Sequence, residues 1–124
     1  MSEKNTVVIT SAKRTAIGTL GGFLKSVSAH ELGAGVISDV IKNSKLKNEE
    51  VDEVIMGQVL TASAGQNPAR QAAMKSGIPK EKTAYIVNQV CGSGLRSIAS
   101  GFQSIKAGDS KIVIAGGQEC MSLA

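Results

Sequence analysis

The stretch Tyr85-Ile86-Val87-Asn88-Gln89-Val90-Cys91-Gly92-Ser93-Gly94-Leu95 decides how this chain folds. An apolar run over residues 84–90 predicts a strand. Helical spacing opens at Leu95 and predicts a helix that stops at Gly108, with Leu95, Ile98, Phe102 and Ile105 on its buried stripe. Cys91-Gly92-Ser93-Gly94 is then a strand-to-helix turn that presents a thiol. Unpaired N–H groups at the start of a helix favour a thiolate there, and the small neighbours let a carbonyl group approach the backbone. Three readings fit this local pattern. Cys91 is a nucleophile, or a small hydrophobe packed in a core, or part of a tight turn that cradles phosphate. The phosphate reading is the poorest, because the third glycine of a dinucleotide fingerprint is missing and no GxxxxGK[ST] occurs.

Outward from this turn, strands alternate with helices. Strands are predicted at 6–10, 53–59 and 111–115, with 84–90 between the last two. A helix over 28–43 opens with the capping box Ser28-Ala29-His30-Glu31, and Val27 and Leu32 are placed for a hydrophobic staple. Its predicted buried face is Leu32, Val36 and Val40 with Ile37 and Ile41. A shorter helix is capped by Asn67, starts with Pro68 and ends at Gly77. The fold class is therefore α/β, with a mostly parallel sheet covered on both faces. Loops 14–26 and 60–67 are the candidate functional loops.

Composition narrows the rest. The chain has 124 residues, enough for one domain and too few for two, and its 42% hydrophobic and 19% charged residues describe a soluble globular protein. No apolar run approaches the ~20 residues needed to span a bilayer, so no membrane partner is expected. The polar lead Met1-Ser2-Glu3-Lys4-Asn5 is neither a signal peptide nor a transit segment, which makes the cytoplasm the expected compartment. No nucleic-acid partner is expected despite a net charge of +4, because there are only three aromatics, Phe23, Tyr85 and Phe102, and no basic run between stacking residues. The two cysteines, Cys91 and Cys120, have no metal or CxxC spacing, and no metal site is expected.

The longer string from Asn88 through Cys91 to Ile98 closely resembles the acyl-enzyme motif of the thiolases, in particular the acetyl-CoA acetyltransferases. Arg14-Thr15-Ala16-Ile17-Gly18 with Gly21-Gly22 resembles the same family, as do Gly65-Gln66-Asn67-Pro68-Ala69-Arg70-Gln71 and Ala115-Gly116-Gly117-Gln118-Glu119 with Met121-Ser122. The resemblance runs from about Val7 to Ala124.

It implies a thiolase-like fold, with residues 1–124 as the first βαβαβαβ part of the N-terminal thiolase domain. It also implies reversible Claisen condensation of two acetyl-CoA molecules to acetoacetyl-CoA and CoA, with Cys91 as the catalytic residue that carries the acetyl group. Coenzyme A thioesters are then substrate and product, and no further cofactor or metal is implied. The complete protein would be a homodimer or homotetramer. The family's activating histidine, its second cysteine and its oxyanion-hole asparagine lie in motifs this chain does not contain. His30 belongs to the capping box and is no substitute, and Cys120 is expected to pack. Arg70 and Arg96 are expected to form scaffold salt bridges. The chain thus reads as roughly the opening third of a thiolase, inactive alone and left with an apolar face and a sheet edge uncovered. Two alternatives stand beside this reading: a degradative 3-ketoacyl-CoA thiolase, and a non-catalytic truncated product.

Overall fold

The computed structural model describes residues 6–124; the polar lead Met1-Ser2-Glu3-Lys4-Asn5 lies outside the described residues. The elements are α1 (Ala29–Asn43), β1 (Glu53–Gly57), α2 (Pro68–Lys75), β2 (Thr83–Val87), α3 (Ser93–Ala107) and β3 (Val113–Gly117). The three strands form one parallel sheet in the order β2-β1-β3, with Ile55 of β1 opposite Tyr85 and Ala115. No helix among the described residues is long and apolar enough to cross a membrane.

Alternation along β1 sorts the layers. Val54 and Met56 join Ile37 and Ile41 of α1 and Ala69, Ala72 and Ala73 of α2 in the apolar core. Glu53 and Gly57 meet α3 on the other face. The sheet is thus covered on both sides, as the continuous apolar runs predict.

Ser28 caps α1 with both halves of the capping box in place: its Oγ accepts from the Glu31 N–H at 3.3 Å, and its own N–H donates to Glu31 Oε2 at 3.0 Å. The Ser28 N–H comes first, the Ser28 hydroxyl donating to Oε2 at 2.9 Å second, and Lys75 Nζ at 3.1 Å adds to them, in lowering the Glu31 carboxyl from its ordinary 4.5 to about 2. A pKa depressed in the folded state stabilises the fold above the unfolded value and loses that contribution as the pH falls. The melting temperature should therefore carry a small Glu31-dependent decline from about pH 4.5 to about pH 2. The decline is small because the group is exposed and screened. Thermal unfolding across that window checks it, and Glu31→Gln should flatten that part of the profile.

Three expectations need correction. Residues 6–10 form no strand: Val8 and Ile9 are 68% and 79% exposed. A strand requires a partner, and the sheet consists of β2, β1 and β3 alone, so residues 6–10 pair with none of its strands. The segment instead runs beside the end of α1, where Thr10 Oγ1 lies 3.1 Å from Ser44 Oγ and Asn43 Nδ2 donates to Ser11 Oγ at 3.1 Å.

The α1 face is also rotated from its predicted position. Ala29, Gly33, Ala34, Ile37 and Ile41 are buried, whereas Leu32, Val36 and Val40 are half-buried. Small residues at Gly33 and Ala34 let α1 approach α2 closely.

The largest departure is in α3, which buries Ser93, Ser97 and Gly101 and leaves Leu95, Ile98 and Phe102 exposed. The facing sheet surface dictates this. A Cβ on Gly101 would come within 3.0 Å of Val113 Cγ1, and Ser97 Oγ lies 2.6 Å from the Gly116 carbonyl. Only small side chains fit that spacing. Ser104 and Ser110 hydroxyls complete the small-residue face by donating to Glu53 Oε2 at 2.8 and 3.2 Å.

Strand ends differ by a few residues, and side-chain acceptors set them. The Lys111 and Ile112 N–H groups donate to Asp52 Oδ2, so β3 begins only at Val113. These contacts, the Ile112 N–H foremost, hold the Asp52 carboxyl below its ordinary value.

Candidate active site

Cys91 is a free, exposed thiol on the turn between β2 and α3. The turn is held by side chains on both sides of it. Val90 has φ +50°, in the left-handed region that β-branched residues strongly disfavour. Its N–H donates to Asn88 Oδ1 at 3.0 Å. Ser93, which is buried, accepts from the Gln89 N–H at 2.8 Å and donates to the Val90 carbonyl at 2.5 Å. Backbone bonds from Gly92 N–H to Gln89 and from Ser93 N–H to Val90, both 3.1 Å, close the loop. Strain of this kind persists only where neighbouring groups over-determine it. Cys91 thus sits at the sharpest point of a clamped turn, directly before Gly92 and the first turn of α3.

Three glycines let that turn rest on the sheet. A Cβ on Gly57 would collide with the Ser93 carbonyl carbon and come within 2.6 Å of the Gly94 nitrogen. A Cβ on Gly117 would come within 3.3 Å of the Gly94 Cα. Gly57 and Gly117 are register partners at the carboxyl ends of β1 and β3. The start of α3 therefore sits on bare backbone, a placement that no larger residue permits.

The loop after β1 is held from the segment just past β3, the neighbouring strand. Both carboxylate oxygens of Glu119 accept backbone N–H groups, Val59 at 2.8 Å and Leu60 at 3.1 Å. Asn88 Nδ2 donates to the Val59 carbonyl at 3.1 Å. The sequence reading did not single out the roles of Asn88, Ser93 and Glu119. An isolated glycine at the end of an apolar strand, as at Gly57, is a legible sign of close backbone approach.

The other candidate residues are placed elsewhere. His30 stands in the first turn of α1 with Nε2 3.4 Å from Ser28 Oγ, beside the cap as its position predicts. Cys120 is half-buried, with Sγ 3.9 Å from the Leu24 and Lys25 carbonyls. Both line a cleft of about 100 Å³ with Gln58, Leu60 and Pro68, and Cys91 is not among its walls. Arg70 is a scaffold residue, but through carbonyls instead of a salt bridge: it donates to Lys82 at 2.6 Å and Lys80 at 2.7 Å. Arg96 is exposed and forms no ion pair among the described residues, so the salt bridge expected there is not made. Among the described residues no cluster of three His, Cys, Asp or Glu side chains is placed to hold a metal ion.

Residues 7–124, which contain every element above, match the thiolase N-terminal domain family. The chain belongs to the thiolase family. Its similarity to individual thiolases is high. It is 57% identical over 118 residues to an acetyl-CoA acetyltransferase of Rhizobium meliloti and 57% identical to one of Shinella zoogloeoides, covering 95% of this chain in each case. It is 54% identical to a probable acetyl-CoA acyltransferase of Staphylococcus aureus, covering 94% of this chain. Among solved structures, the Bacillus anthracis acetyl-CoA acetyltransferase superposes with a TM-score of 0.91 at 41% identity over 94% of the chain. The chain spans about 30% of the length of each of these thiolases. The thiolase-like α/β arrangement expected from the sequence is therefore the one found, less its first strand.

Proposed function

We propose that the complete protein carrying this chain is an acetyl-CoA acetyltransferase, with residues 1–124 forming the first part of its N-terminal domain and Cys91 as its catalytic nucleophile. The observation that carries this reading is the clamped, exposed thiol at the start of α3 in a chain of this family. The Cys91 sulfur attacks the thioester carbonyl of acetyl-CoA. A bond from Sγ to the acetyl carbon forms, the carbon–sulfur bond to CoA breaks, and CoA leaves with a proton. A second acetyl-CoA then gives up a proton from its methyl carbon. That carbon bonds to the acetyl group, the bond to Sγ breaks, and acetoacetyl-CoA is released. Two thioester-level steps replace one difficult transfer.

The base for these proton transfers is assigned to the remainder of the complete protein, since His30 is the sole histidine here and sits at the α1 cap. Coenzyme A thioesters serve as substrate and product. A cytoplasmic homodimer or homotetramer goes with this reading. A second reading, a thiolase for longer 3-ketoacyl-CoA, is favoured only by the broader acyltransferase name of the Staphylococcus aureus relative. Thiolytic cleavage by the complete protein separates the two. The proposal expects kcat/KM for acetoacetyl-CoA to exceed that for 3-ketooctanoyl-CoA by about 10-fold or more, the range one pocket commands against extra methylenes. The reverse order would favour the second reading, and no cleavage of either would overturn both.

A further inference from the structure

The Cys91 turn is strained at Val90, and strain has to be held from outside the turn. A continuous path of hydrogen bonds does this. Glu119, just beyond β3, accepts the Val59 and Leu60 N–H groups with its two carboxylate oxygens at 2.8 and 3.1 Å. Val59 offers its carbonyl to Asn88 Nδ2 at 3.1 Å. Asn88 turns its other amide atom back, and Oδ1 accepts the Val90 N–H at 3.0 Å. Val90 at φ +50° is the residue that aims Cys91. Each link is fixed by direction as well as distance. An amide has one donating and one accepting end, and Asn88 uses one on the neighbouring loop and the other on the strained residue.

We infer that Asn88 and Glu119 are positioning residues for Cys91, acting as one unit that holds Val90 in its left-handed conformation. The inference rests on the acetyl-transfer reading of Cys91. It assigns Asn88 no contact with substrate. The amide fixes the turn, and the Glu119 carboxylate fixes the loop on which that amide is anchored. Ser93 clamps the same turn from the helix side and is independent of this path.

The substitutions divide the path. Asn88→Ala removes both of its links. Asn88→Asp keeps an acceptor for the Val90 N–H but sets a carboxylate oxygen against the Val59 carbonyl. Glu119→Gln keeps one acceptor and turns an amide N–H toward the second backbone N–H. A displaced nucleophile loses rate with little loss of substrate binding, and misplacement on the order of 1 Å is worth about 10²-fold. Asn88→Ala should therefore lower kcat about 10- to 100-fold with KM for acetyl-CoA within about twofold, and Glu119→Gln about 10-fold. Residues acting as one unit are not additive, so the double variant should be no slower than Asn88→Ala by more than about twofold.

The test is the pre-steady-state rate of Cys91 acetylation by acetyl-CoA in the complete protein, followed by intact mass, alongside kcat and KM. The expected result is slowed acetylation in all three single variants, with Asn88→Asp between wild type and Asn88→Ala. Wild-type acetylation rates in soluble Glu119→Gln and Asn88→Asp would overturn the positioning role, as would multiplicative effects in the double variant. Those two milder variants carry the test if Asn88→Ala does not fold. A wild-type protein that is never acetylated at Cys91 would instead overturn the parent reading.

Discussion

Cys91→Ala in the complete protein is expected to lower acetoacetyl-CoA formation by on the order of 10³-fold or more, the scale on which loss of a covalent nucleophile is felt. In the proposed mechanism the acetyl group rests on sulfur between the two half-reactions, and an alanine methyl offers no atom to hold it. Cys120 cannot substitute: it stands half-buried against the Leu24 and Lys25 carbonyls, on a cleft whose walls do not include Cys91. Cys120→Ala is therefore expected to leave turnover within about threefold of wild type, as a packing residue would. Steady-state rates of the two variants, with far-UV circular dichroism to confirm folding, check the pair. Equal losses in both would contradict the assignment of separate roles.

Gly57→Ala is the second large effect. The added methyl has no free direction, because it would meet the Ser93 carbonyl carbon and the Gly94 nitrogen, and both are backbone atoms. The start of α3 has to lift from the sheet by on the order of 1 Å, at a cost of about 2–3 kcal/mol for overpacking. Cys91 moves with that helix start. A displacement of that size should lower kcat by about 10²-fold in whatever folded protein remains. Gly116→Ala is the matched control on the adjacent position of β3, where the nearest atom to an added Cβ is Met56 Sδ at 3.9 Å. That contact is ordinary, and the control should lose less than about 1 kcal/mol. Melting temperatures and turnover of the two variants, measured together, decide it. A Gly57→Ala protein as stable and active as Gly116→Ala would show that the glycine contact is not required.

Much of this arrangement is legible in the residues. The capping box at Ser28, the Asn67-Pro68 start of α2 and the glycine past its end each act locally, so sequence reading finds them. The β2-turn-α3 unit is legible for the same reason. Residues 6–10 mislead because β-propensity says nothing about whether a segment is brought beside a strand it can pair with.

The α3 stripe misleads more instructively. Leu95, Ile98 and Phe102 have the spacing of a buried face, yet the sheet beneath offers room only for Ser93, Ser97 and Gly101. Periodicity shows that a helix has two distinct faces, and the packing surface chooses which one it receives. The path through Glu119, Val59 and Asn88 was illegible because it joins residues up to 60 positions apart through backbone groups, which carry no sequence signature. Cys91 stands out by motif alone, whereas its placement on an exposed, clamped turn is visible only through Val90, Ser93 and the glycines around it.

The most direct test of the central claim is to locate the acetyl group. The complete protein is incubated with acetyl-CoA, quenched in acid and digested with trypsin, which releases Cys91 in the peptide spanning residues 83–96 and leaves Cys120 in a separate one. The account predicts an acetyl group on the Cys91 peptide that disappears on adding free CoA. Acetylation confined to another residue, or none in a protein that turns over, would contradict it.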